Sequence, residues 1–493
     1  MKCMNEGAAM KKRKIREFYL ILCLIFFLVM VYYSSRQSFW HDELYQLGLV
    51  RKGVSFQEVL KSYVELWDYT PPLYAMISAA WLRLVPFSNK WLLLPSEIFV
   101  VSGVYILAVT AEKKAGERVG ILTAILGATS STLILSGGHE FRSYALFFLA
   151  STLVLAAYLS CYERKLDGEK HFLLALAMIM LAYSHYYGSL ILFVLFVADL
   201  WLWKRGRRTA KLLLPYAICA VCFAPWMIAV LCNHRTSMSE FWTEAPDPVT
   251  VIETIRYLIS DNELLWIVLI ICCVILCRSV FVFKKTKEWK QEQSLTCLLL
   301  WVTGAVFALM YTYAAFINPS GGAFQDRYFI GLLPYIFIAI ALMCENLYLV
   351  FLKEKGITFL AFAVIIFLYL AGGNYQQVAT QADKKREPYE QSIQILKKKG
   401  DIAKKTTAVL VSDCSYVTEG YRYFFERKGR EVKVEMISQE DKNLPEQLVR
   451  YDKLYVLTMH NKLTAKNKRL LSQSFDCLYQ DKETRISAYR RRP

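Results

Sequence analysis

The run Pro71-Pro72-Leu73-Tyr74-Ala75-Met76-Ile77-Ser78-Ala79-Ala80-Trp81-Leu82-Arg83-Leu84-Val85 decides how the whole chain threads. It is apolar enough to enter a bilayer but falls short of the roughly 20 residues a spanning helix needs. Arg83 also interrupts its far end. The run is therefore expected to lie as a helix in the interface plane. Reading it as a span would put Lys113, Lys114 and Arg118 on the outer side and reverse every later basic cluster. Read as interfacial, it belongs to an outer loop, residues 34–92, between a first span at Phe18–Tyr33 and a second at Leu93–Ala111.

The rest of the chain follows from that choice. Its 493 residues are 55% hydrophobic and 14% aromatic, and apolar runs of near-spanning length recur along it, as in a polytopic membrane protein. Lys11-Lys12-Arg13-Lys14 and Arg16 precede the first span and predict a cytoplasmic N-terminus. That first run has no small-residue cleavage site and reads as a retained helix. Further spans are expected at Gly120–Ser136, Tyr144–Cys161, His171–Ser184, Tyr186–Trp203 and Leu212–Cys232. Glu263–Phe283, Leu295–Ile317, Tyr328–Val350 and Ile357–Gly372 complete a set of eleven. Within the membrane domain the lysines and arginines sit in short clusters between the apolar runs, so the net charge of +17 points to topology and away from nucleic acid. Thirteen cysteines lie mainly within apolar runs and read as small core residues, neither a disulfide framework nor a metal site.

An odd number of spans predicts an extracytoplasmic tail, residues 374–493, after a membrane domain at 1–373. Strand-like runs at Thr406–Ser412, Val432–Ile437 and Lys453–Thr458 alternate there with helical patterns at Tyr416–Lys428 and Glu440–Val449. That is the pattern of a small α/β domain. Its 25 basic and 16 acidic residues, a net +9, suit an anionic surface, but it carries no catalytic motif.

The chemistry collects at the outer boundary. Four of the six histidines, His41, His139, His185 and His234, map there. Around them lie Asp42, Glu43, Glu65, Asp68, Glu97, Glu140, Arg142, Glu244, Asp247, Asp326 and Arg327. Ionisable residues gathered at membrane depth line sites. Asp42 or Glu43 could accept a hydroxyl proton in a partly dry pocket. Arg327 and Arg142 carry guanidinium forks that match phosphate oxygens. A base on one side and a phosphate clamp on the other describe displacement of a lipid phosphate by an acceptor hydroxyl.

Five segments in order, Trp40-His41-Asp42-Glu43, Pro71-Pro72-Leu73-Tyr74, Glu140-Phe141-Arg142-Ser143-Tyr144-Ala145-Leu146, His185-Tyr186-Tyr187-Gly188 and Arg327-Tyr328-Phe329-Ile330-Gly331-Leu332-Leu333-Pro334, resemble glycosyltransferase family 39. This group holds the protein O-mannosyltransferases and the bacterial aminoarabinose transferase-like enzymes. The resemblance spans Phe39 to Pro334 and leaves the tail aside. It implies a GT-C fold and transfer of a sugar from a polyprenyl phosphate to an acceptor on the non-cytoplasmic side.

By that resemblance Asp42 is the catalytic base and Glu43 shapes the site beside it. Arg327 contacts the donor phosphate, and Arg142, His185, Tyr328, Glu140 and His139 line the substrate cavity. The implied partners are a polyprenyl-phosphate-linked sugar, membrane lipids and an acceptor that could be protein, lipid or cell-wall glycan. A divalent metal is possible, although no tight ligand spacing such as HExxH is present. Thr70 replaces the histidine usual before Pro-Pro, and Leu93 the arginine usual before Leu-Pro-Ser. Both departures imply a divergent bacterial branch. A transporter or flippase of lipid-linked sugars would instead place its charges at the midplane and carry inverted repeats. A non-catalytic scaffold would need only the membrane anchor and the tail.

Overall fold

The structure is a computed structural model. It describes residues 2–492 apart from 35, 37–38, 52, 67–69, 87, 162–167, 207–208, 234–244, 269, 272–273, 275–290, 319–322, 353–357, 384–394, 396–406, 413–416, 423–434, 459–461 and 483–484. In chain order the helices of the first part are α1 (Lys2–Ser34), α2 (His41–Val50), α3 (Phe56–Leu66), α4 (Leu73–Leu84), α5 (Asn89–Ala115) and α6 (Glu117–Ala128). They continue with α7 (Tyr144–Cys161), α8 (Gly168–Ser184), α9 (Tyr186–Lys204), α10 (Leu214–Asn233) and α11 (Pro248–Leu258). The bundle closes with α12 (Gln291–Thr312), α13 (Leu333–Leu347) and α14 (Phe359–Asp383).

Among the described residues eight of these helices, α1, α5, α7, α9, α10, α12, α13 and α14, are long and apolar enough to cross a membrane. The expected interfacial run is α4, a shorter apolar helix, and α8, where a span was expected at His171–Ser184, is a helix of 17 residues that is not among the eight. The expected span at Glu263–Phe283 lies partly outside the described residues. The segment containing α7 is 78% buried and the one containing α13 is 94% buried, against 22% for those of α12 and α14. These two helices form the centre of the bundle. The turn leading into α13 approaches α7 closely at Gly331, where any side chain would collide with the Phe147 ring, and Ser151 Oγ donates to the Gly331 carbonyl at 2.6 Å.

The expected single span at Gly120–Ser136 is broken. α6 stops at Ala128, and a π turn at Leu133–Gly138 follows. The cause is the run Thr129-Ser130-Ser131-Thr132, whose hydroxyls compete for backbone partners. Thr129 Oγ1 donates to the Ile125 carbonyl at 2.8 Å, and Ser130 Oγ accepts from Leu133 N at 3.2 Å. Carbonyls freed at this break are taken by α14: Asn374 Nδ2 donates to Thr129 O at 2.8 Å and Tyr375 OH to Ala128 O at 2.7 Å. These bonds anchor α14 beyond Gly372 and Gly373, where the sequence expectation ends the span, and the helix continues to Asp383.

The tail forms one five-stranded sheet of β1 (Thr407–Val411), β2 (Glu435–Ser438), β3 (Lys453–Leu457), β4 (Phe475–Asp481) and β5 (Ile486–Arg491), in the order β2-β1-β3-β5-β4. β1 pairs in parallel with β2 and β3, and β5 pairs antiparallel with β3 and β4. Helices α15 (Leu444–Leu448) and α16 (Ala465–Ser474) lie beside it. Proline at the first turn confines α15 to a fraction of the expected Glu440–Val449, whereas residues 417–422 of the other expected helix, Tyr416–Lys428, are helical and its remainder lies outside the described residues.

Alternation along β1 splits the domain into two cores. Val409 and Val411 join Leu44, Leu47, Leu49 and Val50 of α2, while Ala408 and Leu410 pack with Leu444, Leu448 and Leu471. The sheet thus rests one face on the α2–α4 loop. An ion pair between Arg51 and Glu419 at 2.9 Å and the seat of Gly420 against the Leu44 carbonyl fasten it there.

Candidate active site

The site is built from the first turn of α2, where Asp42 and Glu43 complement the helix N-terminus. Glu43 is buried, and backbone N–H groups occupy both its oxygens. Oε2 accepts from Trp40 at 3.1 Å, the reach-back half of a capping box, and Oε1 accepts from Phe141 at 2.7 Å. One side chain thereby fixes the start of α2 and ties it to the segment that leads into α7. Asp42 is 28% exposed, and its Oδ2 accepts from Arg327 Nη2 at 3.0 Å.

Arg327 enters from the 3-10 turn Asp326–Leu332 that runs into α13. Its Nη1 lies 3.9 Å from Oε2 of buried Glu140. Its guanidinium carbon is 4.5 Å from the Trp40 ring centroid and 5.7 Å from that of Tyr144. One cation therefore faces two carboxylates and two aromatic rings, an arrangement that holds a planar fork in one orientation.

His185 stands at the N-cap of α9. Its Nδ1 accepts from Tyr187 N at 3.2 Å, so the neutral ring carries its proton on Nε2. The ring stacks on Phe147 at 4.8 Å and 17° and lies 5.3 Å from Tyr328 and 6.0 Å from Tyr144. Nε2 is buried with no hydrogen-bond partner among the described residues. Burial first, then the charges of Arg142 and Arg327, lowers the pKa of His185 to about 3, so the ring is a neutral donor near pH 7.

Arg142 is buried, and its charge also bears on Tyr144 and Tyr328. Buried His139 places Nε2 3.1 Å from the Met30 carbonyl of α1, which ties that helix to the turn carrying Glu140.

Tyr328 and His185 also line a cleft of about 910 Å³ between α9, α10 and α12. Its walls are apolar, formed by Leu190, Phe193, Phe223, Met227 and Leu309. A charged cluster thus lies next to an apolar groove reached through His185 and Tyr328, which suits an amphiphile with a polar head and an apolar chain.

The sequence expectation set base and clamp on opposite sides of the reacting centre. The structure instead pairs Asp42 directly with Arg327, because opposite charges in a partly desolvated site attract strongly. Other outer-boundary residues are held elsewhere. Glu65 pairs with Lys61 at 3.9 Å, Asp247 caps α11 by accepting from Thr250 N at 2.7 Å, and Asp326 accepts from Thr254. Glu97 accepts from Ser34 at 2.5 Å. Asp68, His234 and Glu244 lie outside the described residues. Among the described residues no group of three or more His, Cys, Asp or Glu side chains is arranged to hold a metal ion.

No protein-family model and no curated protein matches the sequence. Solved structures do. ArnT from Cupriavidus metallidurans in the apo state aligns over 96% of this chain and 97% of its own, with a TM-score of 0.60 at 10% identity. The same protein bound to undecaprenyl phosphate aligns over 96% and 98%, with a TM-score of 0.59 at 12% identity. The chain has the GT-C fold. The Archaeoglobus fulgidus oligosaccharyltransferase in its apo form is similar over 89% of this chain and 69% of its own, with a TM-score of 0.50 at 11% identity.

Three residues around this cluster were missed by sequence reasoning. Trp40 and Tyr144 stand inside the quoted motifs, but only the fold reveals that both face Arg327. Tyr257 comes from α11, in no motif, and donates its hydroxyl to Ser136. Burial first, then the charge of Glu140, raises its pKa. No local pattern marks a single tyrosine on an amphipathic helix as a site residue.

Proposed function

We propose that this GT-C protein is a membrane glycosyltransferase that moves a sugar from a polyprenyl-phosphate carrier to an acceptor hydroxyl on the outer face of the membrane. The observation that carries the reading is the junction of the Asp42–Arg327–Glu140 cluster with the apolar cleft at His185 and Tyr328. The cleft suits a polyprenyl chain, and the cluster suits the phosphate and the reacting sugar. The similarity to ArnT, solved with undecaprenyl phosphate bound, supports the same donor class here.

The mechanism is a single displacement at the anomeric carbon. The acceptor oxygen bonds to that carbon, the carbon–oxygen bond to phosphate breaks, and Asp42 takes the acceptor proton. Arg327, Arg142 and the Nε2–H of His185 stabilise the charge growing on the leaving phosphate. The donor phosphate competes with Asp42 for Arg327, so donor binding frees the carboxylate for the acceptor. Glu43 acts as a positioning residue through its two backbone bonds. The basic clusters between the apolar runs of the sequence support a cytoplasmic N-terminus and an outward-facing site.

Native mass spectrometry of the detergent-purified protein tests the donor site. Undecaprenyl phosphate is expected to bind in preference to undecaprenol, and Arg327→Gln to lose that preference. Equal retention of both lipids by the wild-type protein would contradict the assignment.

A further inference from the structure

We propose a second binding site, for an anionic glycan, on the face of the tail sheet turned away from the helical bundle. That face is distinct from the one seated on α2–α4, since residues of β1 alternate between the two cores. α15 and α16 cover the β1 and β3 side of it. Beside α16 they leave a cleft of about 910 Å³ over β4 and β5. Its volume lies toward the top of the range of roughly 300–1,000 Å³ usual for ligand pockets.

The walls match a charged sugar polymer. Half-buried Tyr489 gives the floor an aromatic surface for a sugar face, over the buried Leu471 and Phe475. Lys462, Lys468, Lys482, Arg485 and Arg492 supply five cations, all exposed. Two carboxylates also line it, Asp476, which pairs with Arg492 at 2.8 Å, and Asp481. Lys462, Lys468 and Lys482 have no ion-pair partner among the described residues.

Arg485 adds an independent sign. Its φ of 51° lies in the left-handed region, where a non-glycine side chain is strained. The Arg485 carbonyl accepts from Thr458 N at 3.1 Å and from Thr458 Oγ1 at 3.2 Å, so the strained backbone is clamped where the side chain meets the cleft. A lipid surface is the poorer partner. The opposite face of the sheet shares its core with Trp226 and Val230 of α10, so this cleft looks away from the spanning helices.

The test uses the full-length protein in detergent micelles, with polygalacturonate as the anionic glycan probe and neutral dextran as its control. The wild-type protein is expected to bind the first and not the second. Lys468→Gln/Lys482→Gln/Arg485→Asn should weaken binding about tenfold, as losing three exposed charge contacts would. Asparagine tolerates the left-handed backbone, and the double variant Lys468→Gln/Lys482→Gln leaves that turn untouched should the triple variant misfold. Lys442→Gln/Arg450→Gln/Lys466→Gln removes the same charge outside the cleft and should bind as the wild type does. An equal loss in this control, or equal dextran binding, would overturn the site. So would phosphatidylglycerol vesicles that depend on the same three cleft residues, which would mark a lipid-binding face.

Discussion

At Arg327 one guanidinium answers Asp42 at 3.0 Å and Glu140 at 3.9 Å, so the chemistry of the replacement decides what is lost. Arg327→Lys keeps the charge but not the fork. The protein should fold while transfer falls by about a hundredfold, read as product formed by membranes holding equal amounts of protein. Near-normal transfer would mean that the fork is not used. Arg327→Gln strips buried Glu140 of its cation and should unfold more readily as well. His185 supplies a pH signature. Its folded pKa of about 3 lies below the ordinary histidine value of about 6.5, so between the two the unfolded chain holds a proton that the folded chain lacks. The contribution to stability is complete above about pH 6.5 and declines as pH falls toward 3. Thermal unfolding in detergent should therefore worsen with acidification, and His185→Gln should flatten that decline. Parallel curves for the two proteins would refute a buried neutral ring.

Two elements owe their positions to a few polar side chains. α2 starts where Glu43 accepts from both Trp40 and Phe141. Glu43→Gln cannot serve two N–H donors with two carboxylate oxygens and should cost about 1–3 kcal/mol, measured as a lower unfolding midpoint. Transfer should drop with it because Asp42 is the preceding residue. An unchanged midpoint would show that the tie is dispensable. The α6 break depends on Asn374 in the same way, and Asn374→Ala should cost about 1 kcal/mol by leaving the Thr129 carbonyl without its side-chain donor. Eight of the expected spans and the short apolar helix α4 were legible in the sequence because apolar runs are local signals. The break at Thr129 was not, since its hydroxyls and carbonyl find partners on α11 and α14, more than a hundred residues away. The Asp42–Arg327 pairing was also hidden, because spacing along the chain says nothing of contact between residues 285 positions apart.

At the scale of the whole molecule the tail is joined to the helix that carries Asp42. Their shared core, the Arg51–Glu419 pair and the seat of Gly420 on the Leu44 carbonyl make one unit of sheet and loop. Gly420→Ala puts a methyl group into that carbonyl and should cost about 1–3 kcal/mol, seen as faster protease cleavage of the tail from an otherwise folded bundle. Three of the sheet's strands were readable as β-rich runs. β4 and β5 were not, because exposed and charged residues interrupt the alternation that marks a buried face. The central claim remains that the outer site transfers a sugar with Asp42 as base. Its most direct test is mass spectrometry of envelope lipids and glycans from cells producing equal amounts of the wild-type protein or Asp42→Asn. The account predicts that a sugar modification present with the wild type disappears in the variant while its polyprenyl-phosphate donor accumulates. The same modification at normal abundance in the variant would contradict it.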